Sequence, residues 1–484
     1  MICWILAVTV LLALPGRGVH AEVRFERIEF ELKQPAECWM AEDIDRDGDL
    51  DLVLIHRDSR LLHHAVVIRQ HPTGRFAYSE RQDIPLNTTG GVYDLGDVAG
   101  GSSLELVQLT NGGVRYYTIE GARFDTTSHL LIDPESAPDL PPIAEPVHWH
   151  CIWPGSEAEK ETVVLPHLSH LELWRAGTNG EYARAGTIPC PMTGQAVSQG
   201  DGLRMALPEL RAQSVPSATE FFFESAGRWH GVRRATPNDT EFTTSLMFNE
   251  SPSSIGQVLG ISSDFRAGCL MDDLNSDGAP DVARWTNHGG INSASCEIDV
   301  YFGPFNGRLP DEPHARVSIK GVYGFPRFGD LNGDGRKDML VCAMETGSLS
   351  TAKMFVMKKL SLHLLAYHQR ADNSFSIVAD HRRSADYRLN LDVADPVMGP
   401  ILQFTGDLDA DGFEDFVVQT GSDHLDVYRG HAENMIDKDS PERLDCPPAR
   451  DIALLDVDGD GRLDLLLQHH GSDNAGAVTI LLSR

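Results

Sequence analysis

The stretch DLNGDGRKD, residues 330–338, sets an acidic or amide side chain at its first, third, fifth and ninth positions and a glycine at its sixth. Four further stretches obey the same rule: DIDRDGDLD at 43–51, DLNSDGAPD at 273–281, DLDADGFED at 407–415 and DVDGDGRLD at 456–464. Carboxylates crowded on alternating loop positions repel one another, so each copy is costly unless a cation offsets it. No His or Cys recurs inside the motifs, which argues against zinc or copper. Calcium accepts six to eight oxygens in flexible geometry, and the sixth-position glycine allows the tight turn that such loops need.

The candidate calcium ligands are therefore Asp43, Asp45, Asp47, Asp49 and Asp51; Asp273, Asn275, Asp277 and Asp281; Asp330, Asn332, Asp334 and Asp338; Asp407, Asp409, Asp411 and Asp415; and Asp456, Asp458, Asp460 and Asp464. That makes about five Ca²⁺ sites, one per motif. Asn275 and Asn332 keep an oxygen while lowering the charge, which predicts weaker binding at those two loops. The first positions resemble an EF-hand, but its Glu at position twelve is missing, and the ninth residue opens a strand instead. The competing reading is a set of solvated Asp-Gly turns.

Each motif is followed by an apolar strand, such as DLVLI at 51–55 or DFVVQ at 415–419, then a turn and alternating segments such as HLDVYRG at 424–430. Period-two alternation with frequent Gly, Asp and Asn reads as antiparallel hairpins. Between the first and second motifs the unit persists in worn form: GDVAGGSSLELVQL at 96–109, TVVLPHLSHLELWR at 162–175 and QGDGLRMAL at 199–207. Units then begin near 43, 97, 154, 197, 273, 330, 407 and 456, with degenerate repeats at about 97–260 and insertions within 197–273 and 330–407. The segment KMFVMKKLSLHLLAY, 353–367, reads as a short helix or as two strands, and as a core or rim element rather than an exposed docking helix.

The alternating segment VRFERIEFEL, 23–32, precedes the first motif, while room for about three strands follows the last. Together they complete one unit. The expected fold class is all-β: a β-propeller of about eight four-stranded blades, with seven possible, closed by an N-terminal strand. Calcium-laced β-sandwiches in series are the alternative. The motifs and their strands resemble the FG-GAP/VCBS repeat family, which includes the calcium-binding blades of integrin alpha-subunit propellers. The resemblance implies structural metal loops at blade edges. Seven blades are usual in integrin-like propellers, so a count of eight departs from that pattern. The architecture also occurs in binding proteins, lectins and polysaccharide-processing enzymes, so it does not choose among functions.

The formal net charge of −30 makes nucleic acid and anionic membrane poor partners. Residues 4–14, WILAVTVLLAL, are too short to span a bilayer, and Val19-His20-Ala21 suits cleavage after Ala21. The expectation is a signal peptide at 1–21, a single propeller domain at 22–484, a secreted or periplasmic location and no integral membrane insertion; a buried N-terminal strand is the alternative. An oxidising destination permits disulfides, with Cys269–Cys296 and Cys38–Cys446 the suggested pairs. In VHWHCIW, 147–153, His148, Trp149, His150 and Trp153 read as a possible ligand surface, either a sugar pocket or a second metal site. The plainer reading is a packed blade strand. No GxSxG, HExxH, P-loop or dinucleotide motif occurs. The sequence therefore favours a non-catalytic, calcium-stabilised propeller that presents a surface to an extracellular protein or glycan. A carbohydrate-active lyase or hydrolase, or a purely structural envelope protein, is the alternative.

Overall fold

The computed structural model describes residues 25–484 apart from short loop positions and the longer stretches 136–145, 154–160, 197–202, 234–241, 250–266, 389–402, 437–440 and 470–476. The 1–21 leader and Cys446 lie outside the described residues. The hairpins predicted after the five acidic loops and the worn copies fold into eight separate sheets of four or five strands, beside small two-stranded ribbons. Blade 1 pairs Cys38–Glu42, Asp51–Arg57, His63–Ile68 and Gln82–Pro85 in chain order. Blades 3 to 7 repeat this order within residues 152–189, 209–249, 267–320, 322–388 and 403–445. Blade 2, within 91–132, gains a fifth strand because Pro146–His148 runs parallel to Gly91–Gly96, with His148 opposite Tyr93.

Blade 8 contains Ala449–Leu455, Asp464–His469 and Ala477–Ser483, and its fourth strand is Phe25–Glu31 from the start of the chain. The register runs from Phe25 opposite Ser483 to Glu31 opposite Ala477. The core confirms a closed ring. Its eight apolar clusters each lie between consecutive blades, and one of them joins blade 8 to blade 1 through Phe30, Leu52, Leu54, Leu466 and Ile480. Such closure leaves only short, protected edges. The chain is thus an all-β, eight-bladed propeller, and the count of eight stands over seven.

Two expectations need correction. The described cysteines, Cys38, Cys151, Cys190, Cys269, Cys296 and Cys342, stand as thiols, so neither suggested disulfide forms. Cys269 lies opposite Arg284 and Cys296 opposite Asn287, on strands separated by a third. Two strand spacings are about 9–10 Å, beyond disulfide reach, and the odd offset turns the two side chains to opposite faces. Second, Ser348–Met357 is a helix inserted between two strands of blade 6, followed by the strand Lys359–Tyr367. Its Leu349, Val356 and Met357 are exposed, so the first part of the 353–367 segment is not core, whereas Leu360, Leu362, Leu364 and Tyr367 of the following strand are buried as the sequence suggested.

Candidate functional site: the acidic loops and the His–Asp cluster

Every acidic motif joins the first strand of a blade to its second. The five loops belong to blades 5, 6, 7, 8 and 1, which are consecutive around the ring, and blades 2 to 4 lack them. The loops share one construction. Position one accepts the position-six N–H in all five loops and the position-five N–H in every loop but that of Asp456, as when Asp330 takes Asp334 at 3.0 Å and Gly335 at 2.8 Å. Position five accepts the N–H of position seven, at 2.8–3.0 Å in all five copies. Position six is left-handed throughout, from φ +82° at Gly278 to +98° at Gly48, where a β-carbon is costly. Position four is left-handed as well, although Arg46, Ser276 and Ala410 occupy it in three copies.

The second and ninth positions tie the loop into the molecule. Ile44, Leu274, Leu331, Leu408 and Val457 are buried, each in the seam toward the next blade. Full burial of such a side chain contributes about 1.5–3 kcal/mol. Asp51, Asp281, Asp338, Asp415 and Asp464 are also buried at the head of the second strand. One oxygen of each accepts an N–H at or just beyond the end of a later strand, from Gln70, Gly303, Gln369, Gly430 and Ser483 respectively. In Asp281, Asp415 and Asp464 the other oxygen accepts the position-two N–H. Burial raises these carboxyls, to about 6 at Asp51, Asp281, Asp338 and Asp464 and to about 7 at Asp415. Adjacent loops are also stitched together. Lys337 N–H donates to Leu274 O at 2.9 Å, Glu414 N–H to Asp330 O at 2.9 Å, and Leu463 N–H to Asp407 O at 3.0 Å.

Three loops bring three carboxylates within 4.8 Å of one another: Asp43, Asp45 and Asp47; Asp407, Asp409 and Asp415; and Asp456, Asp458 and Asp460. Asp49 lies outside the first trio and is half-buried. In these three loops the position-three Asp also meets an arginine placed just after the third strand: Asp45 with Arg69, Asp409 with Arg429, and Asp458 with Arg484. The two loops with Asn at position three have no Arg there. Phe302 follows the third strand of blade 5, and in blade 6 His368 stands 2.7 Å from Asn332 and 3.0 Å from Asp338. Net loop charge is thereby evened out, since an extra carboxylate arrives with a guanidinium. The arginines escape a motif scan because they lie 20 to 26 residues beyond the Asp they meet. Several inward oxygens are buried without a hydrogen-bond partner: Asp45 Oδ1, Asp51 Oδ2, Asp338 Oδ2, Asp456 Oδ1 and Asp458 Oδ1. Orphaned anionic oxygens are what a coordinated cation would satisfy, so the loops fit a hard cation.

The worn loop of blade 2 keeps the same frame. Val98 is buried in the seam toward blade 3, Glu105 accepts Val98 N–H at 2.9 Å, and Asp97 accepts Gly100 N–H at 2.8 Å. Its Asp97 also pairs with Arg46 of blade 1 at 3.0 Å.

The VHWHCIW segment forms the crossing from blade 2 to blade 3. His148 and His150 face the buried Asp94, with His148 Nε2 at 3.5 Å and His150 Nδ1 at 3.6 Å from the same carboxylate oxygen. Trp149 and Trp153 pack instead against the interblade clusters around blade 3. Burial works to raise the Asp94 carboxyl, but His148, His150 and the Ile152 N–H outweigh it and hold the group below the usual carboxylate range. A cavity of about 770 Å³ adjoins the two imidazoles and is lined by Trp39 and Glu42 of blade 1 and by Leu455 and Gln468 of blade 8.

Comparison with known proteins gives an FG-GAP-like repeat match over residues 273–341, which span two of the acidic loops. No curated protein is similar in sequence. Solved structures align over most of the chain at low identity. A lectin of Agrocybe aegerita that recognises non-reducing terminal N-acetylglucosamine aligns at 11% identity and TM-score 0.38, covering 86% of this chain and 81% of the lectin. A putative 6-phosphogluconolactonase of Bacteroides fragilis aligns at 11% and 0.33, covering 84% and 100%. The Vibrio cholerae biofilm matrix protein Bap1 aligns at 12% and 0.29, covering 93% and 77%. The chain is an eight-bladed β-propeller that carries an FG-GAP-like repeat.

Proposed function

We propose that this protein is a secreted, non-catalytic propeller whose acidic loops take Ca²⁺ to lock one side of the ring, which then presents a surface to an extracellular protein or glycan. The carrying observation is the set of buried, unpartnered carboxylate oxygens inside loops whose second residues plug the seams. The position-one, -three, -five and -nine residues named above would hold the ion in each loop. When bound, it would neutralise the converging carboxylates. A cation that ties positions one to nine also fixes the position-two plug, so metal binding becomes seam stability.

Among the described residues no helix is long and apolar enough to cross a membrane. The strongly acidic charge makes nucleic acid and anionic lipid poor partners. The test is thermal unfolding of residues 22–484 after EGTA treatment, with Ca²⁺, Mg²⁺ or neither restored, alongside metal content by mass spectrometry. Several equivalents of calcium with a calcium-selective rise in Tm are expected. No bound calcium and no thermal response would sink the reading.

One observation favours the carbohydrate-active alternative. Glu42 lines the cavity with its carboxyl raised by burial, while Asp94, behind the cavity-lining His148 and His150, has its carboxyl lowered. Opposed pairs of this kind serve as acid and base in glycoside chemistry. Turnover of an extracellular polysaccharide that Glu42→Gln abolishes would favour this reading over pure binding.

A further inference from the structure

The acidic arc leaves blades 2 to 4 without a cation loop, yet the crossing from blade 2 to blade 3 gathers a donor set of different character. Asp94 ends up there because its strand, Gly91–Gly96, takes the parallel partner Pro146–His148, and the chain then turns back so that Ile152 N–H reaches Asp94 Oδ2 at 2.8 Å. That bond fixes the carboxylate plane. Leu95 N–H, at 3.0 Å, touches the other oxygen, which faces both imidazoles. The two rings stand 4.6 Å apart, edge to face, so both nitrogens converge on one point without stacking.

We propose that Asp94, His148 and His150 form a second, chemically distinct metal site, built for a borderline divalent cation such as Zn²⁺ and opening on the cavity between blades 8, 1 and 2. Ligand atoms around a tetrahedral zinc with bonds near 2.0–2.1 Å lie about 3.4 Å apart. The observed separations of 3.5 and 3.6 Å match that edge and are long for direct hydrogen bonds. Asp94 is 3% exposed, and its only ion-pair partners among the described residues are these two imidazoles. Two nitrogens and one carboxylate oxygen suit zinc, iron or nickel, whereas the all-oxygen loops suit calcium. Glu42 lines the same cavity as His148 and His150.

The other mixed cluster among the described residues has its carboxylate engaged by other donors. His167, His170 and Glu172 also lie close together, but Glu172 already accepts from Arg184 at 3.1 Å and from Trp174 Nε1 at 3.1 Å. Both oxygens of Glu172 thus already have donors, although His167 Nε2 is buried without a hydrogen-bond partner. At Asp94 no guanidinium pairs with the carboxylate among the described residues, and the two imidazoles it faces line the cavity.

The test uses the full mature chain saturated with Ca²⁺, so that hard-cation loops are occupied and cannot report. Zn²⁺ is titrated by calorimetry and Co²⁺ by its visible absorption. One equivalent is expected, with tetrahedral-type cobalt bands. His150→Ala alters an exposed ring and should leave the fold intact while weakening binding roughly ten-fold or more. His148→Ala should act likewise, and His167→Ala should change nothing. Absence of saturable binding, or binding that survives the His148→Ala/His150→Ala double variant, would overturn the proposal. Calcium-dependent Tm is unaffected in either case, so failure here is separable from failure of the calcium loops.

Discussion

At the scale of single residues, the ninth position of each motif does more than its place in a ligand pattern suggests. Asp415 is 1% exposed, accepts Gly430 N–H at 2.9 Å on one oxygen and Leu408 N–H at 3.1 Å on the other, and carries a carboxyl raised by burial. An amide has one acceptor oxygen, so Asp415→Asn sets an N–H₂ against one of these two buried donors and strands it. We expect a loss of about 1–3 kcal/mol in urea unfolding even without calcium. Asp411→Asn, at the exposed fifth position, should cost much less without calcium and reveal its effect only when calcium is added. Equal losses for both variants would deny the ninth residue its separate structural role. The sequence showed which side chains recur. It could not show that the ninth is a backbone staple, because its partners sit at separations from Gly430, fifteen residues on, to Gln369, thirty-one on. The left-handed fourth position was equally hidden, since Arg46, Ser276 and Ala410 carry no glycine signal.

At the scale of the element, the unit is a loop and the arginine that closes it. Arg429 touches Asp409 and reaches Glu442 at 3.4 Å, and the Arg429 and Asp409 side chains are each 11% exposed. Removing one partner of so enclosed a pair leaves the other charge uncompensated, a loss of about 3 kcal/mol. Arg429→Met should therefore lower the Tm of the calcium-free protein and enlarge the rise that calcium produces, because a second cation can replace the first. Calorimetry with and without calcium reads both. A drop that calcium does not recover would mean the arginine serves the blade and not the loop. The hairpins were legible because period-two alternation and Asp-Gly turns are local. The helix Ser348–Met357 was legible only as an ambiguity: its apolar residues fit either period, and their exposure reflects an insertion outside the blade. The cysteine pairs failed for the reverse reason, since strand offset and face are tertiary facts.

At the scale of the whole molecule, two features set stability: how the ring closes, and how its charge is spread. Phe30, on the N-terminal strand, is 1% exposed and meets Phe76 of the blade 1 region edge to face at 5.6 Å. Phe30→Ala should cost about 3–5 kcal/mol, with a Tm loss read by calorimetry, because it empties the one seam whose two sides come from opposite ends of the chain. The complementary segments at 23–32 and beyond 456 made this closure readable in the sequence; the contiguous arc of loops on blades 5 to 8 and 1 became visible only once the ring was closed. That arc also gives the molecule a pH signature. Without metal, burial raises five aspartates from an ordinary value near 3.8 to about 6 or 7. Between about pH 4 and 7 the folded state then holds more protons than the unfolded one, so its stability falls as pH rises. Calcium requires the charged carboxylates, so its stabilisation grows across the same window. After EGTA treatment the Tm should be higher at pH 5 than at pH 7.5, and saturating calcium should shrink or reverse that difference. A calcium-free Tm that climbs from pH 5 to 7.5 would show that these aspartates are already charged without a metal, and that cation binding has no protons to displace.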